Sequence, residues 1–213
     1  MSQLQLFPAF AVPMATANLE GAEQLNSQLK KRFFELEQAG FEETHTPTTR
    51  VNIFESNMDL FTLQDPSLQQ LRLFCLSSIM SIVASTTRKS ADEMRQLKLK
   101  NHAWFHITRK HGYIAYHNHP LASWSAVYYV DVGQPDPDYP ESGQIRFFHP
   151  SSSNQMFMDA GNTSFSAPFH QGTLSFEPKP GQLLIFPSYL MHEVAPFMGQ
   201  GERICVAMNC WFE

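Results

Sequence analysis

The sequence predicts a mainly β fold, a sandwich or jelly roll, carrying helices in its N-terminal part and forming one domain. Three observations point there. Apolar residues recur at helical spacing through roughly the first hundred positions. After that the signals are short alternating runs bounded by turns, and no helix-length segment separates them, as a parallel α/β sheet would require.

The first helix is read from Leu19, Ala22, Leu25, Leu29, Phe33 and Leu36, which share one face, with Gly40 where a cap is expected. A second begins at Asp65-Pro66, an N-cap followed by proline in the first turn, and continues through Leu68, Leu71, Cys75, Ile79 and Ile82. Ser90-Ala91-Asp92-Glu93 has capping-box spacing and opens a third, shorter helix. Residues 1–100 are therefore expected to be largely helical scaffold. In residues 101–213 the candidate strands are 104–109, 114–119, 124–131, 144–149, 172–176, 182–186 and 203–211. Lys110-His111-Gly112, Pro178-Lys179-Pro180-Gly181 and Gly199-Gln200-Gly201 supply turn signals between them. Segments 133–143 and 151–168 read as long surface loops, which often lie over functional sites.

Composition narrows the function classes. The 213 residues carry a formal charge of −5, and no Lys/Arg run makes a cationic face, so nucleic acid is not an expected partner. Cys75, Cys205 and Cys210 are odd in number and scattered, which favours a reducing compartment, with the cytoplasm as default. The opening Met1 to Pro8 lacks the charged start and apolar core of a signal peptide. No apolar stretch is expected to reach the roughly 18 residues that span a bilayer. Composition leaves the oligomeric state open.

The chemistry gathers around three of the nine histidines. His117-Asn118-His119 ends a predicted strand, and strand side chains two apart point the same way, so both imidazoles project together. His192 follows a turn, a buried strand and the kink Phe186-Pro187-Ser188. Three imidazoles suit iron, zinc, copper or nickel. On the last strand, alternation puts Arg203, Cys205, Ala207 and Asn209 on one face and the apolar Ile204, Val206, Met208 and Cys210 on the other. A guanidinium inside a barrel is costly unless it meets an anion, and a carboxylate satisfies it bidentately. The residues alone leave open a three-histidine zinc enzyme with an activated water and a jelly-roll module that binds a small molecule.

Together these residues resemble the Fe(II)/2-oxoglutarate-dependent dioxygenase superfamily, and within it a group of oxygenases with a His-x-His motif. The resemblance rests on Trp104, His117-Asn118-His119-Pro120, Tyr128-Tyr129-Val130, Phe186-Pro187-Ser188, His192 and Arg203-Ile204-Cys205, in that order, and on the opening Leu6-Phe7-Pro8. It implies a double-stranded β-helix (jelly roll, cupin-like) with the helices packed on one sheet, Fe(II) as metal and 2-oxoglutarate as co-substrate. It also implies oxidative decarboxylation to succinate and CO2 coupled to oxidation of a C–H bond in a small-molecule or peptidyl substrate. Residue by residue, it implies His117 and His192 as metal ligands and Arg203 as the partner of the far carboxylate of 2-oxoglutarate. Cys205 stands where many relatives have a serine that adds a second hydrogen bond, so Tyr128 and Ser188 are candidate substitute donors, with Asn209 beside them on the Arg203 face. His119 departs from the superfamily, which usually has a carboxylate there; Asp131, Glu141 and Glu193 are possible acid donors, but none has the spacing to be preferred, so His117, His119 and His192 are the expected metal ligands. Trp104, Trp124, Tyr116, Phe147 and Phe169 are candidate pocket-lining aromatics.

Overall fold

Helices form where the sequence supplies caps. In the computed structural model, which describes residues 4–43, 49–134, 136–151, 157, 159–169 and 171–213, α1 (Ala22–Gln38) buries Leu25, Leu29, Phe33 and Leu36 on one face. It ends at Gly40, whose φ of 74° is the left-handed conformation of a helix terminus. α2 (Pro66–Thr86) starts at Asp65, whose carboxylate accepts the backbone N–H of Ser67 at 2.9 Å and of Leu68 at 3.2 Å. Ser90 and Glu93 close the expected capping box over α3 (Ala91–Gln96). Against expectation, α2 is 21 residues long with mean hydropathy 1.3, enough by length and composition to cross a bilayer. In this fold Leu68, Leu71, Cys75, Ile79, Ile82 and Val83 of α2 are buried in the core.

The first hundred residues also supply two strands that helical periodicity hides, β1 (Ala15–Asn18) and β2 (Arg50–Glu55). The others are β3 (Leu99–His117), β4 (Trp124–Gln134), β5 (Ile145–Phe148), β6 (Thr173–Phe176), β7 (Gln182–Pro187), β8 (His192–Val194) and β9 (Gln200–Phe212). Among the described residues they form one curled antiparallel sheet in the order β1-β7-β4-β9-β3-β8-β5-β6, with β2 against β3. The curl makes a double-stranded β-helix, a jelly roll with its helices on one face. The loop expected at 151–168 lies partly outside the described residues, and so does position 135 of the loop expected at 133–143.

Two predicted strands are in fact one. β3 pairs with β9 from Leu99 to Thr108 and with β8 at Ile114 and His117. The expected turn at Lys110-His111-Gly112 is a bulge within it, because its backbone groups are satisfied from across the sheet. His111 N–H donates to Phe197 O at 2.6 Å, and Phe197 N–H donates to Gly112 O at 2.8 Å. A Cβ on Gly112 would lie 2.6 Å from Thr108 Cγ2 and 2.7 Å from Asn52 O. Only glycine fits that crossing.

The sheet separates two cores. On the helix side, Phe33 stacks on Phe105 at 4.2 Å between ring centroids, and Ile204, Val206, Met208 and Cys210 of β9 join them. Inside the curl lie Tyr129, Ile145, Phe147, Leu184, Phe186, Leu190, Val194 and Cys205. The alternation predicted for β9 holds, and its polar face lines the interior cavity.

Asp65→Ala is expected to destabilise the protein by about 1 kcal/mol through loss of the cap. In thermal unfolding followed by circular dichroism this is a fall of roughly 2–4 °C. Gly112→Ala is expected to cost more, since both atoms it meets belong to well-packed β-structure.

Candidate active site

Register places the first two histidines. His117 on β3 pairs with His192 on β8, and their rings lie 4.3 Å apart. His119 lies just past the end of β3, where its backbone N–H donates to Ser188 O at 3.0 Å. That bond turns its ring inward, 5.0 Å from His117 and 5.2 Å from His192. The three offer one ligand nitrogen each, all within 4.8 Å of one another. The Nδ1 of His117 lies 2.7 Å from Ala115 O, and that of His192 lies 2.8 Å from Leu190 O. A carbonyl only accepts, so Nδ1 carries the hydrogen in both rings and Nε2 presents its lone pair to the centre. Burial is the main cause holding all three rings below the ordinary histidine range, with repulsion from neighbouring cationic groups adding to it: His106 and Arg50 for His117, His117 and His106 for His119, His117 and His119 for His192. His119 falls to about 4 and His192 to about 3. Neutral imidazoles converging at this spacing suit a divalent metal.

The acids considered as further ligands point elsewhere. Asp131 holds Lys30 at 2.7 Å, and Glu193 and Glu141 both face Arg146. Among the described residues the cluster able to hold a metal ion is His117, His119 and His192.

These rings open into a cavity of about 250 Å³ that also receives Arg203, Cys205, Asn209 and Ser125. Arg203 is 2% exposed, and its Nε has no hydrogen-bond partner. Its Nη1 lies 3.4 Å from Cys205 Sγ, and its guanidinium lies 5.3 Å over the Tyr129 ring. Among the described residues no carboxylate pairs with it. A buried, unneutralised guanidinium facing a cavity fits an anionic ligand.

Two expected donors are misplaced. Tyr128 faces the helices, and its hydroxyl donates to Asn26 Oδ1 at 2.7 Å, because strand parity sends its neighbour Tyr129 inward instead. The Tyr129 hydroxyl is buried without a partner beside Arg203. Ser188 lies behind the cavity wall, with its Oγ 2.8 Å from Ser125 Oγ; Ser125 lines the cavity and donates to Asn209 Oδ1 at 2.7 Å. Of the aromatics, Trp104 lines the cavity and Phe147 packs 5.8 Å from His192. Trp124 packs on the helix-side core, Tyr116 lies half exposed against Phe148, and Phe169 is outside the lining.

Sequence reading missed Arg50, Glu55 and His106. Glu55 is 8% exposed, pairs with Arg50, and places Oε2 at 2.5 Å from His106 Nε2. Trp104 Nε1 approaches the same nitrogen at 3.1 Å. One nitrogen cannot donate to a carboxylate and accept from an indole together, and the shorter, charge-assisted contact governs. Arg50 and Glu55 come from β2, where Asn52 adopts φ 50° and the register shifts, so that both reach the cavity beside His106 of β3. A buried acid–histidine pair formed across two neighbouring strands leaves no periodic signal.

The depressed histidines make the metal-free protein acid-sensitive in a defined window. Unfolded rings take up protons near pH 6.5, while folded His119 and His192 wait until about 4 and 3. Their contribution is therefore complete above pH 6.5 and is lost as pH falls, down to about 4 for His119 and about 3 for His192. Urea denaturation of the metal-free chain at stepped pH is expected to show that decline, and His119→Gln should flatten it.

Comparisons with known proteins agree with this geometry. The family model described as "Putative 2OG-Fe(II) oxygenase" matches residues 102–209, a little over half of the chain. No curated protein matches it. A Pseudomonas putida prolyl-4-hydroxylase is similar in structure, with TM-score 0.63 at 17% identity over 95% of this chain and 92% of that one. HygX from Streptomyces hygroscopicus, crystallised with nickel and 2-oxoglutarate, gives TM-score 0.56 at 14% identity over 94% and 83%. A Trichoplax adhaerens prolyl hydroxylase, solved with a peptide fragment of the hypoxia inducible factor oxygen degradation domain, gives TM-score 0.60 at 11% identity over 93% and 83%. Residues 102–209 carry all three inward-facing histidines and Arg203, and the chain belongs to the 2OG-Fe(II) oxygenase family.

Proposed function

We propose that His117, His119 and His192 hold Fe(II), that Arg203 with Tyr129 seats the far carboxylate of 2-oxoglutarate, and that a small-molecule or peptidyl substrate enters past Thr49, Arg50 and Met58. One observation carries the reading: a buried, unneutralised arginine and three converging neutral imidazoles share one cavity. When bound, iron and co-substrate supply the oxidising chemistry, in which decarboxylation of 2-oxoglutarate is coupled to oxidation of a substrate C–H bond by O2.

The chain's own residues bind and orient. Carbonyls of Ala115 and Leu190 fix two ligand rings so that no tautomer change is needed on loading. Arg203 offers a planar fork to a carboxylate, and the idle Tyr129 hydroxyl can add a donor that a thiol at Cys205 supplies only weakly. Phe186, Ile145, Val194 and Trp104 line the walls and keep water from the centre. Under the zinc-hydrolase reading Arg203 has no role. The three buried, unpaired cysteines support a reducing, cytoplasmic setting.

Metal-free protein reconstituted anaerobically with Fe(II) and 2-oxoglutarate is expected to develop a weak visible charge-transfer band that needs both additions. His192→Ala should abolish it. Arg203→Ala should leave iron bound while weakening 2-oxoglutarate roughly 10- to 100-fold, the range for losing a charged hydrogen-bond partner. Tyr129→Phe should weaken it only a few-fold. Iron binding with no 2-oxoglutarate response in the native protein would sink the assignment of Arg203.

A further inference from the structure

The cavity contains an array that iron and co-substrate binding leave unused. Glu55, His106 and Cys205 stand in cross-strand register on β2, β3 and β9, and all three line the cavity with Arg203. Glu55 accepts from His106 Nε2 at 2.5 Å, which leaves the Nδ1 lone pair facing Cys205 Sγ at 4.0 Å. From the other side Arg203 Nη1 approaches the same sulfur at 3.4 Å. A carboxylate-oriented imidazole on one flank and a guanidinium on the other form an environment that withdraws a thiol proton and stabilises the thiolate.

The other two cysteines are an internal contrast. Cys75 and Cys210 lie in the helix-side core, where burial pushes the first up strongly and the second up to about 12. Burial acts on Cys205 in the same direction, but Arg203 and His106 outweigh it and bring the thiol down to about 7. Arg203 also keeps its buried Nε unpartnered, so an anionic group built on this sulfur has a waiting cation.

We propose that Cys205 is a modification site for hydrogen peroxide and that its oxidation closes the co-substrate subsite, an inference that rests on Arg203 being the co-substrate anchor. The thiol proton passes to His106 Nδ1, and the thiolate attacks one peroxide oxygen. An S–O bond forms as the O–O bond breaks, and the departing hydroxide takes the proton back as water. Sulfur is oxidised by two electrons to the sulfenic acid, and peroxide is reduced by two. The sulfenate oxygen then lies against Arg203 and competes for the guanidinium that the carboxylate of 2-oxoglutarate needs. A thiol reductant reverses the change.

The test uses zinc-loaded protein, since zinc does no redox chemistry of its own. Affinity for 2-oxoglutarate is measured before and after hydrogen peroxide, and the modified cysteine is located by peptide mass spectrometry with a sulfenic-acid trap. Trapping is expected at Cys205, with Cys75 and Cys210 spared. Affinity should fall roughly tenfold or more, in line with loss of a charged hydrogen-bond partner, and dithiothreitol should restore it. Bound 2-oxoglutarate should protect Cys205. Cys205→Ser, compared with its own untreated state, should lose the peroxide effect, and Glu55→Gln should slow trapping. Oxidation that spares Cys205, or that modifies it with unchanged affinity, overturns the proposal while the co-substrate reading stands. If the untreated protein does not bind 2-oxoglutarate, that reading fails and the proposal falls with it.

Discussion

Because β3 pairs with β9 as far as Thr108 and with β8 from Ile114, the strand must change direction within a few residues. The bulge at 109–112 makes that possible, and its backbone is satisfied by Phe197 across the sheet. Everything in the site depends on the bend. Before it, β3 presents Trp104 and His106 to the interior; beyond it, the same strand brings His117 opposite His192 and carries His119 to the cavity. A straight strand would separate these groups by most of its length.

The second constraint is electrostatic. The interior of the curl contains a cation, Arg203, that no described carboxylate neutralises, and three imidazoles kept neutral by burial. Such an arrangement is costly in an empty fold and becomes favourable when a divalent metal and a dianionic co-substrate enter together. The helix-side core offsets the cost. Its stacked Phe33 and Phe105 and the apolar face of β9 keep the same strands rigid from behind. Stability and function thus use opposite faces of the same strands, which is why one-residue parity matters so much.

His119 sets this chain's site apart. The three-histidine cluster carries no negative charge of its own, and the acid lining the cavity is Glu55, bound to Arg50 and His106. The same pairing orients His106 toward Cys205, so this one buried acid shapes the side of the cavity where Arg203 lies.

Local chemistry was legible in the amino acids themselves. Asp65-Pro66 and Ser90…Glu93 start helices because their side chains reach backbone donors within three residues. Arg203 and Cys205 face one way and Ile204 and Val206 the other because a strand alternates. The shared face of the His-x-His pair was legible for the same reason, whereas the roles expected of His192 and Arg203 came from the family resemblance and not from spacing alone. Tertiary structure decided which tyrosine of the pair Tyr128-Tyr129 turns inward, since alternation gives parity but not its sign. It also decided that 109–112 is a bulge and that β2, through Asn52, brings Arg50 and Glu55 to a histidine some fifty positions away. Those contacts are made between strands, where register is set by the whole sheet and not by any segment read alone.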